Sequence, residues 1–408
     1  MQFVFFLLFV VSVLTLGSIS IGPFSLRVYM TVLMLAFLIL GKKPASERYL
    51  SLKNNYIHLF LICIVTLGIS LTINGGLQEY GFFVKCLSHY LVCIVAYYAV
   101  DRCVKSKTHI DKFVAIISFI VLFDAIVTYL QYQNNPIGWA IGIVFSDESQ
   151  VEEFTTYLAD HQSFEGVSKI PGIFGHPVNN GFFLAVTTPM LLTGIGRNNP
   201  KLKSLFYLFT IIVTLIVFVL LQQRAAIFLV LMVLAYHFIR AFVKNPSRLL
   251  LPFTIVLILA FIVLPNYFGD FDWGRLSSTD NSSRTEVWKI AYTFIINNPI
   301  FGDFLGYSKV ALYSAHNALI DSLINSGIIG FIPLLYLYLR TVLDSSRILL
   351  RSNDNYCRIF SYCVLICMAM GLFHNTSYMT GDVIIFFSLG LMFKAQVLSK
   401  YKSLQARV

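Results

Sequence analysis

Long runs of apolar residues, separated by shorter polar connections, dominate the chain from end to end. A helix rises 1.5 Å per residue, so roughly 20 apolar residues cross a hydrocarbon core of about 30 Å. About twelve runs approach this length, near residues 3–19, 25–41, 56–73, 82–100, 113–131, 180–196, 205–222, 225–243, 249–266, 316–339, 358–374 and 381–398. The pattern predicts an all-α integral membrane protein, residues 1–408, with about twelve transmembrane helices in a single polytopic domain.

Two connections are much longer than the others, at residues 132–179 and 267–315. The first is acidic and closes with a stretch rich in Gly, Pro and Asn at 171–180, which predicts a solvated lid followed by a tight turn. In the second, apolar residues repeat at helical spacing over 287–295. This repeat predicts an amphipathic helix that lies at the membrane interface.

Composition and charge distribution agree with a membrane protein. Hydrophobic residues make up 57% of the chain and charged residues 12%, which is about half the charge of a soluble domain. The Lys and Arg residues concentrate in alternate connections and at the C-terminal end, within 42–53, 102–112, 197–203, 240–248, 340–358 and 394–407. By the positive-inside rule these segments and both termini are cytoplasmic, and both long connections lie outside. The net charge of +10 is then a topology signal, so nucleic acid is not an expected partner.

The cysteines predict neither a metal site nor a disulfide framework. None of the seven falls in the long connections, and none has metal-ligand spacing beside a His cluster. Functional residues must therefore be sought among the other polar side chains of the predicted outer face.

Three such side chains stand out: Arg224, Arg284 and His316. Arg224 lies in a tight hairpin between two apolar runs, where it is either an interfacial anchor or a cation that faces an anionic group. Arg284 lies at the first turn of the predicted interfacial helix, where free backbone N–H groups favour anions. His316, beside Asn317, is either a hydrogen-bonded structural residue or a proton acceptor. Asp321, five residues further on, is imperfectly placed to orient it.

The surroundings of His316 form a longer pattern. It consists of Arg284-x-x-x-Trp288, Asn298-Pro299-x-x-Gly302, Gly306, His316-Asn317 and Gly327-x-x-Gly330. Together with the Arg224 hairpin and the turn at 174–180, this pattern resembles the O-antigen ligase/polymerase superfamily of bacterial envelope glycosyltransferases. The resemblance is densest over residues 284–330.

The resemblance implies a polytopic helical fold of the GT-C-like kind in the bacterial inner (plasma) membrane. The implied reaction transfers a glycan from undecaprenyl diphosphate to an acceptor hydroxyl at the periplasmic face, with no metal and no nucleotide cofactor. The acceptor would be another lipid-linked glycan or the lipid A core. Membrane lipid and a chain-length regulator are further candidate partners.

On this resemblance, Arg224 and Arg284 are expected to bind the diphosphate, because a guanidinium group binds phosphate oxygens bidentately and keeps its charge. His316 is expected to accept the proton of the attacking hydroxyl. Four further residues are candidates for lining the substrate: His176, Trp288, Tyr313 and Asn317. The first also fits a structural role, and the two aromatic residues also fit interfacial anchoring.

Three functions remain open. A polymerase that joins repeat units on the lipid carrier is favoured, because the first long connection is acidic and no additional module for a core oligosaccharide is evident. The first alternative is a ligase that moves the finished glycan to the lipid A core. The second is a transporter of lipid-linked oligosaccharide, since Lys85, Asp124 and Asp382 would suit a translocation path. The richest motif, however, lies at the outer rim.

Overall fold

The computed structural model describes residues 2–16, 19–21, 24–41, 55–75, 80–145, 170–195, 200–221, 223–242, 282–303, 306–307, 315–373, 378 and 382–405. Within these residues lie thirteen α-helices and one antiparallel pair of two-residue strands, β1 (Ser20–Ile21) and β2 (Phe24–Ser25). The helices are α1 (Gln2–Thr15), α2 (Leu26–Leu40), α3 (Asn55–Gly75), α4 (Tyr80–Cys103), α5 (Lys107–Tyr132), α6 (Pro136–Phe145), α7 (Pro177–Leu191), α8 (Lys201–Leu221), α9 (Arg224–Phe242), α10 (Ser282–Asn297), α11 (Ala318–Arg351), α12 (Asn355–Phe373) and α13 (Val383–Gln405).

Eleven of the twelve predicted transmembrane segments coincide with helices, and the other, residues 249–266, lies outside the described residues. Among the described residues, six helices are long and apolar enough to cross a membrane, judged by length and composition: Asn55–Asn74, Lys107–Tyr132, Lys201–Leu221, Ala318–Arg351, Asn355–Leu372 and Val383–Tyr401. Helices α1 and α2 have 14 and 15 residues, and at 1.5 Å per residue each reaches only about 21 Å. The predicted helical, multi-pass membrane class is confirmed, whereas the total of twelve spans stays a prediction.

Aromatic rings fill the interior of the bundle. Phe387 of α13 contacts Phe6 and Phe9 of α1 and Phe113 of α5, with ring centroids 5.8 to 6.2 Å apart, and all four rings are fully buried. Around this cluster α13 packs on α4 and α12, while α12 packs on α7 and α11. In a membrane the hydrophobic effect does not drive helices together, because lipid tails are as apolar as the side chains. Close packing of this kind therefore holds the helices together.

A second, smaller core lies where α10 packs on α11. Its buried members are Ala291, Tyr307, Ala315 and Ile324, and further apolar residues pack around them, namely Val287, Ile290, Phe294, Ile295 and Ile320. The predicted helix in the second long connection is therefore confirmed, and its apolar positions contribute to this core. Its location at the membrane interface remains a prediction.

Candidate active site

His316 lies in the segment that leads into α11. Its backbone φ is +54°, in the left-handed region that residues with a side chain seldom adopt. Asn317 then caps α11, since its Oδ1 accepts hydrogen bonds from the N–H groups of Leu319 at 3.0 Å and Ile320 at 3.2 Å. Its Nδ2 donates to the carbonyl of Leu372, near the end of α12, at 3.0 Å. The backbone beside His316 is therefore tied to a neighbouring helix.

Ala315, directly before His316, is held from two sides. Its carbonyl accepts a hydrogen bond from the indole Nε1 of Trp288 on α10 at 2.8 Å, and its N–H donates to Oδ1 of Asp321 on α11 at 2.8 Å. The second carboxylate oxygen of Asp321 is buried and has no hydrogen-bond partner in the described part of the chain. Asp321 thus acts on the backbone before His316, and the left-handed turn is fixed between two helices.

Tyr307 is a member of this site that the sequence reasoning missed. It is buried against Phe294, with ring centroids 5.6 Å apart. Burial, followed by the negative charge of Asp321, raises the pKa of Tyr307 to about 12. The phenol therefore stays protonated at neutral pH. No sequence spacing signals this residue, because only the fold brings it near Asp321.

The motif glycines lie where α11 is broken. Gly327 has φ +57° and ψ −160°, so the helix stops and restarts there, and Gly302 has φ +67°. The turn at 298–303 fits into this break. A Cβ on Gly302 would lie 2.3 Å from the carbonyl oxygen of Ile324, and a Cβ on Gly327 would lie 2.3 Å from that of Ile300. Both positions therefore require glycine, which has no Cβ and tolerates positive φ.

The same turn replaces helical hydrogen bonds that are lost at the break. The carbonyl of Ile324 would normally accept from the N–H of Ile328 one turn later, but it accepts from the N–H of Asp303 at 2.7 Å. The N–H of Ile328 donates instead to the carbonyl of Pro299 at 2.9 Å. Backbone groups inside a membrane find no water, so a broken helix needs such replacement partners.

Helix α3 completes this arrangement with two polar side chains. Asn74 donates through Nδ2 to the carbonyl of Gly302 at 2.5 Å, and Ser70 donates through Oγ to the carbonyl of Asn325 at 2.6 Å. The Asn-Pro and glycine motifs thus join the turn, α11 and α3 into one structural unit below the His316 segment.

The positions of the two arginines follow from the bounds of the helices that contain them. Helix α8 ends at Leu221 and α9 begins at Arg224, which confirms the predicted tight hairpin, and Arg284 lies in the first turn of α10. Their side chains lie outside what the structure describes. Each arginine is therefore on a first helical turn, where unpaired backbone N–H groups and the helix dipole favour anions.

The C-terminal ends of α9 and α11 meet. Arg240, near the end of α9, donates to the carbonyl of Leu349, near the end of α11, at 2.8 Å. This contact joins the two helices at late positions. Arg224 and His316 lie at or before the starts of these two helices, 16 and 33 residues before the contact.

The first turns of α7, which His176 caps, lie beside the Arg224 hairpin. A Cβ on Gly181 in the first turns of α7 would lie only 2.8 Å from Cγ of Gln223, the residue before Arg224. His176 caps α7, because its Nδ1 accepts from the N–H of Val178 at 3.1 Å. This contact agrees with the structural alternative for His176.

Buried side chains of α5 hold the turn that precedes His176. Asp124 accepts through Oδ1 from the N–H of Ile173 at 2.9 Å. Gln131 accepts from the N–H of Gly172 at 2.9 Å and donates to the carbonyl of the same residue at 3.1 Å. Gly172 has φ +61°, and a Cβ there would lie 2.0 Å from Nδ2 of Asn180. Asp124 therefore has a structural task, which weakens the interpretation of this carboxyl group as part of a translocation path.

The structure describes three of the four residues predicted to line the substrate. Asn317, His176 and Trp288 all form the hydrogen bonds given above, and the side chain of Trp288 remains half-exposed. Tyr313 lies outside the described residues. The structure thus brings together Trp288, His316 and Asn317.

One comparison with known proteins covers the segment that contains this site. The family model Wzy_C, described as O-Antigen ligase, matches residues 209–335. This range includes both arginines, Trp288, His316, Asn317 and the break at Gly327. No curated protein matches the chain. The match confirms the predicted resemblance to the O-antigen ligase/polymerase superfamily over residues 209–335.

Proposed function

We propose that this protein is a glycosyltransferase that transfers a glycan from undecaprenyl diphosphate to an acceptor hydroxyl at the periplasmic face of the bacterial inner membrane. The observation that carries the proposal is the fixed left-handed turn at His316, inside the family segment that also contains Arg224 and Arg284. A base for catalysis has to be held in position, and Trp288 and Asp321 hold the residue before it.

The proposed chemistry assigns one proton and one leaving group. The acceptor oxygen forms a bond to the anomeric carbon while the bond from that carbon to the diphosphate oxygen breaks. His316 accepts the proton of the acceptor hydroxyl. Arg224 and Arg284, helped by the first turns on which they lie, stabilise the negative charge that develops on the leaving diphosphate. No metal or nucleotide has a part in this scheme.

The proposal includes the orientation and full architecture of the chain. Four basic side chains form ion pairs with Asp residues at the bundle end remote from His316, namely Lys107, Arg340, Arg347 and Lys394. That end is cytoplasmic by the positive-inside rule, which puts both termini inside and the long connections outside. About twelve spans in a GT-C-like arrangement fit the length of the chain and its apolar runs.

Activity of variants tests the enzymatic proposal. The His316→Ala variant should transfer lipid-linked glycan about a hundredfold more slowly or worse, because general bases typically contribute that much. The Arg224→Lys and Arg284→Lys variants keep the positive charge but lose the planar guanidinium group that can bind two phosphate oxygens. Each variant should therefore transfer glycan roughly tenfold more slowly. The matched control is His58→Ala on α3, an exposed histidine at the opposite end of the bundle. Parental activity of His316→Ala with folded protein would make His316 a structural residue.

For the acceptor, we favour a polymerase that extends a chain on the newest lipid-linked repeat, with a chain-length regulator as a partner. The second candidate is a ligase that uses the lipid A core, which the description of the matching family favours. Deletion in a host with a lipid A core separates them. Loss of a polymerase should leave the core capped by a single repeat. A bare core with long chains stranded on the carrier would identify the ligase instead.

A further inference from the structure

A cavity of about 540 Å³ lies at the end of the bundle remote from His316, between the ends of α3, α11, α12 and α13. The residues of α11 that line it, from Arg340 to Arg351, lie 13 to 24 residues after Gly327, so the cavity is roughly 20–36 Å below the break at 1.5 Å per residue. It therefore belongs to a different region of the molecule from the candidate active site.

The walls of this cavity are strongly cationic. Arg340, Arg347, Arg351 and Lys400 line it, against the single carboxylate of Asp344. Asp344 already accepts a hydrogen bond from the hydroxyl of Tyr56 and pairs with Arg340 at 3.8 Å and Arg347 at 3.5 Å. One carboxylate cannot neutralise both Arg340 and Arg347. Arg351 has no ion pair within the part of the chain that the structure describes, so positive charge is left over.

The cavity also has an apolar side. Phe393, Val397 and Ile348 line it together with the cations. The helices that form it are among those able to cross a membrane, so their ends lie at the level of the lipid headgroups. A cavity with cations at the membrane surface and apolar side chains beside them matches an anionic amphiphile. Its volume falls within the range of about 300–1,000 Å³ that is typical of ligand sites.

We propose that this cavity binds the phosphate group of an anionic phospholipid. The guanidinium groups of Arg347 and Arg351 bind the phosphate oxygens, because the planar fork fits two of them at once. Phe393 and Val397 contact the first part of the acyl chains. Basic pockets between transmembrane helices on the cytoplasmic side suit such headgroups. The site does not depend on the proposed glycosyl transfer.

The test measures lipid retention by the full chain. Purified protein in phosphatidylcholine nanodiscs is given increasing phosphatidylglycerol, and bound lipid is counted by native mass spectrometry. The Arg347→Gln/Arg351→Gln variant should retain phosphatidylglycerol at least about tenfold less well than the parent, the loss of about 1.4 kcal/mol in binding. The matched control is Lys112→Gln/Lys201→Gln, which removes two exposed cations of the same predicted side that do not line the cavity. It should retain the lipid like the parent.

A single variant and two soluble phosphates complete the experiment. The single variant Arg351→Gln, which breaks no ion pair, should show a smaller loss in the same direction and guards against misfolding of the double variant. Inorganic phosphate and glycerol phosphate are added in place of the lipid. Equal lipid retention by the double variant and its control would overturn the site. Retention of soluble phosphate with no preference for phosphatidylglycerol over phosphatidylcholine would overturn the lipid as its ligand.

Discussion

At the scale of single residues, Trp288 combines two chemically separate features. Its indole nitrogen donates to the carbonyl of Ala315, and its ring is 47% exposed on the surface of α10. A sugar could stack on the exposed ring, whereas the hydrogen bond positions the segment that carries His316. The two roles are separable, because phenylalanine keeps an aromatic face and removes the donor.

We expect Trp288→Phe to slow glycan transfer roughly fivefold, the effect of losing a hydrogen bond of about 1 kcal/mol. Transfer rate and thermal unfolding of the purified protein are measured together. The control is Tyr292→Phe, which alters an exposed aromatic residue of the same helix. If Trp288→Phe keeps the parental rate, the ring alone matters and the positioning role is wrong.

Sequence patterns identify which residues could take part in catalysis. They seldom reveal the hydrogen bonds that fix the positions of those residues. Asn317 could have been recognised as a helix cap, because Asn before an apolar run is a common N-terminal signal. The bond between Asp321 and the N–H of Ala315 could not. It depends on a left-handed turn at His316, and no spacing in the sequence encodes that conformation for a residue other than glycine.

At the scale of elements, the break in α11 is the feature that the sequence conceals. Residues 316–339 form one apolar run, and a glycine inside such a run is compatible with a continuous helix at a cost of about 1 kcal/mol. The break becomes evident only when Gly302 and the turn at 298–303 are placed against Gly327. Hydrophobic periodicity reports burial, and it carries no information about contacts between distant backbone segments.

We expect Gly327→Ala and Gly302→Ala to destabilise the protein strongly. Positive φ in a residue with a side chain costs about 1–3 kcal/mol, and overlap of the new Cβ with a carbonyl oxygen adds to it. The yield of monodisperse protein and its unfolding temperature in detergent are the measurements. The control is Gly390→Ala in α13, where the nearest atom to a new Cβ is 3.2 Å away in a side chain. An unfolding temperature equal to that of the control would contradict the required close approach.

At the scale of the whole molecule, the apolar runs predict the helices better than they predict how many of them cross the membrane. The apolar run at 3–19 has enough residues to cross a membrane. However, α1 ends at Thr15, and the strand pair of Ser20–Ile21 and Phe24–Ser25 follows it. Hydropathy cannot detect this ending, because a strand pair of apolar and small residues is as apolar as the end of a helix. Span number and orientation thus need a separate experiment.

We expect positions 150 and 275 to be labelled from the outside, and positions 48, 105, 200, 245 and 350 from the inside. The physical reason is the retention of Lys and Arg segments on the cytoplasmic side. Single cysteines are introduced into a variant that lacks the seven native ones, and a membrane-impermeant maleimide reports exposure in intact cells. A lysed sample provides the control for reactivity. Labelling of position 275 only after lysis would put the His316 segment on the wrong side for the proposed reaction.

The turn that fills the break in α11 has a mechanical consequence. Lifting the C-terminal end of α10 away from the bundle would leave the carbonyl of Ile324 and the N–H of Ile328 without partners, at several kcal/mol for each group inside a membrane. This segment is therefore a fixed wall of the candidate site. A glycan substrate therefore meets a rigid surface on this side of the candidate site.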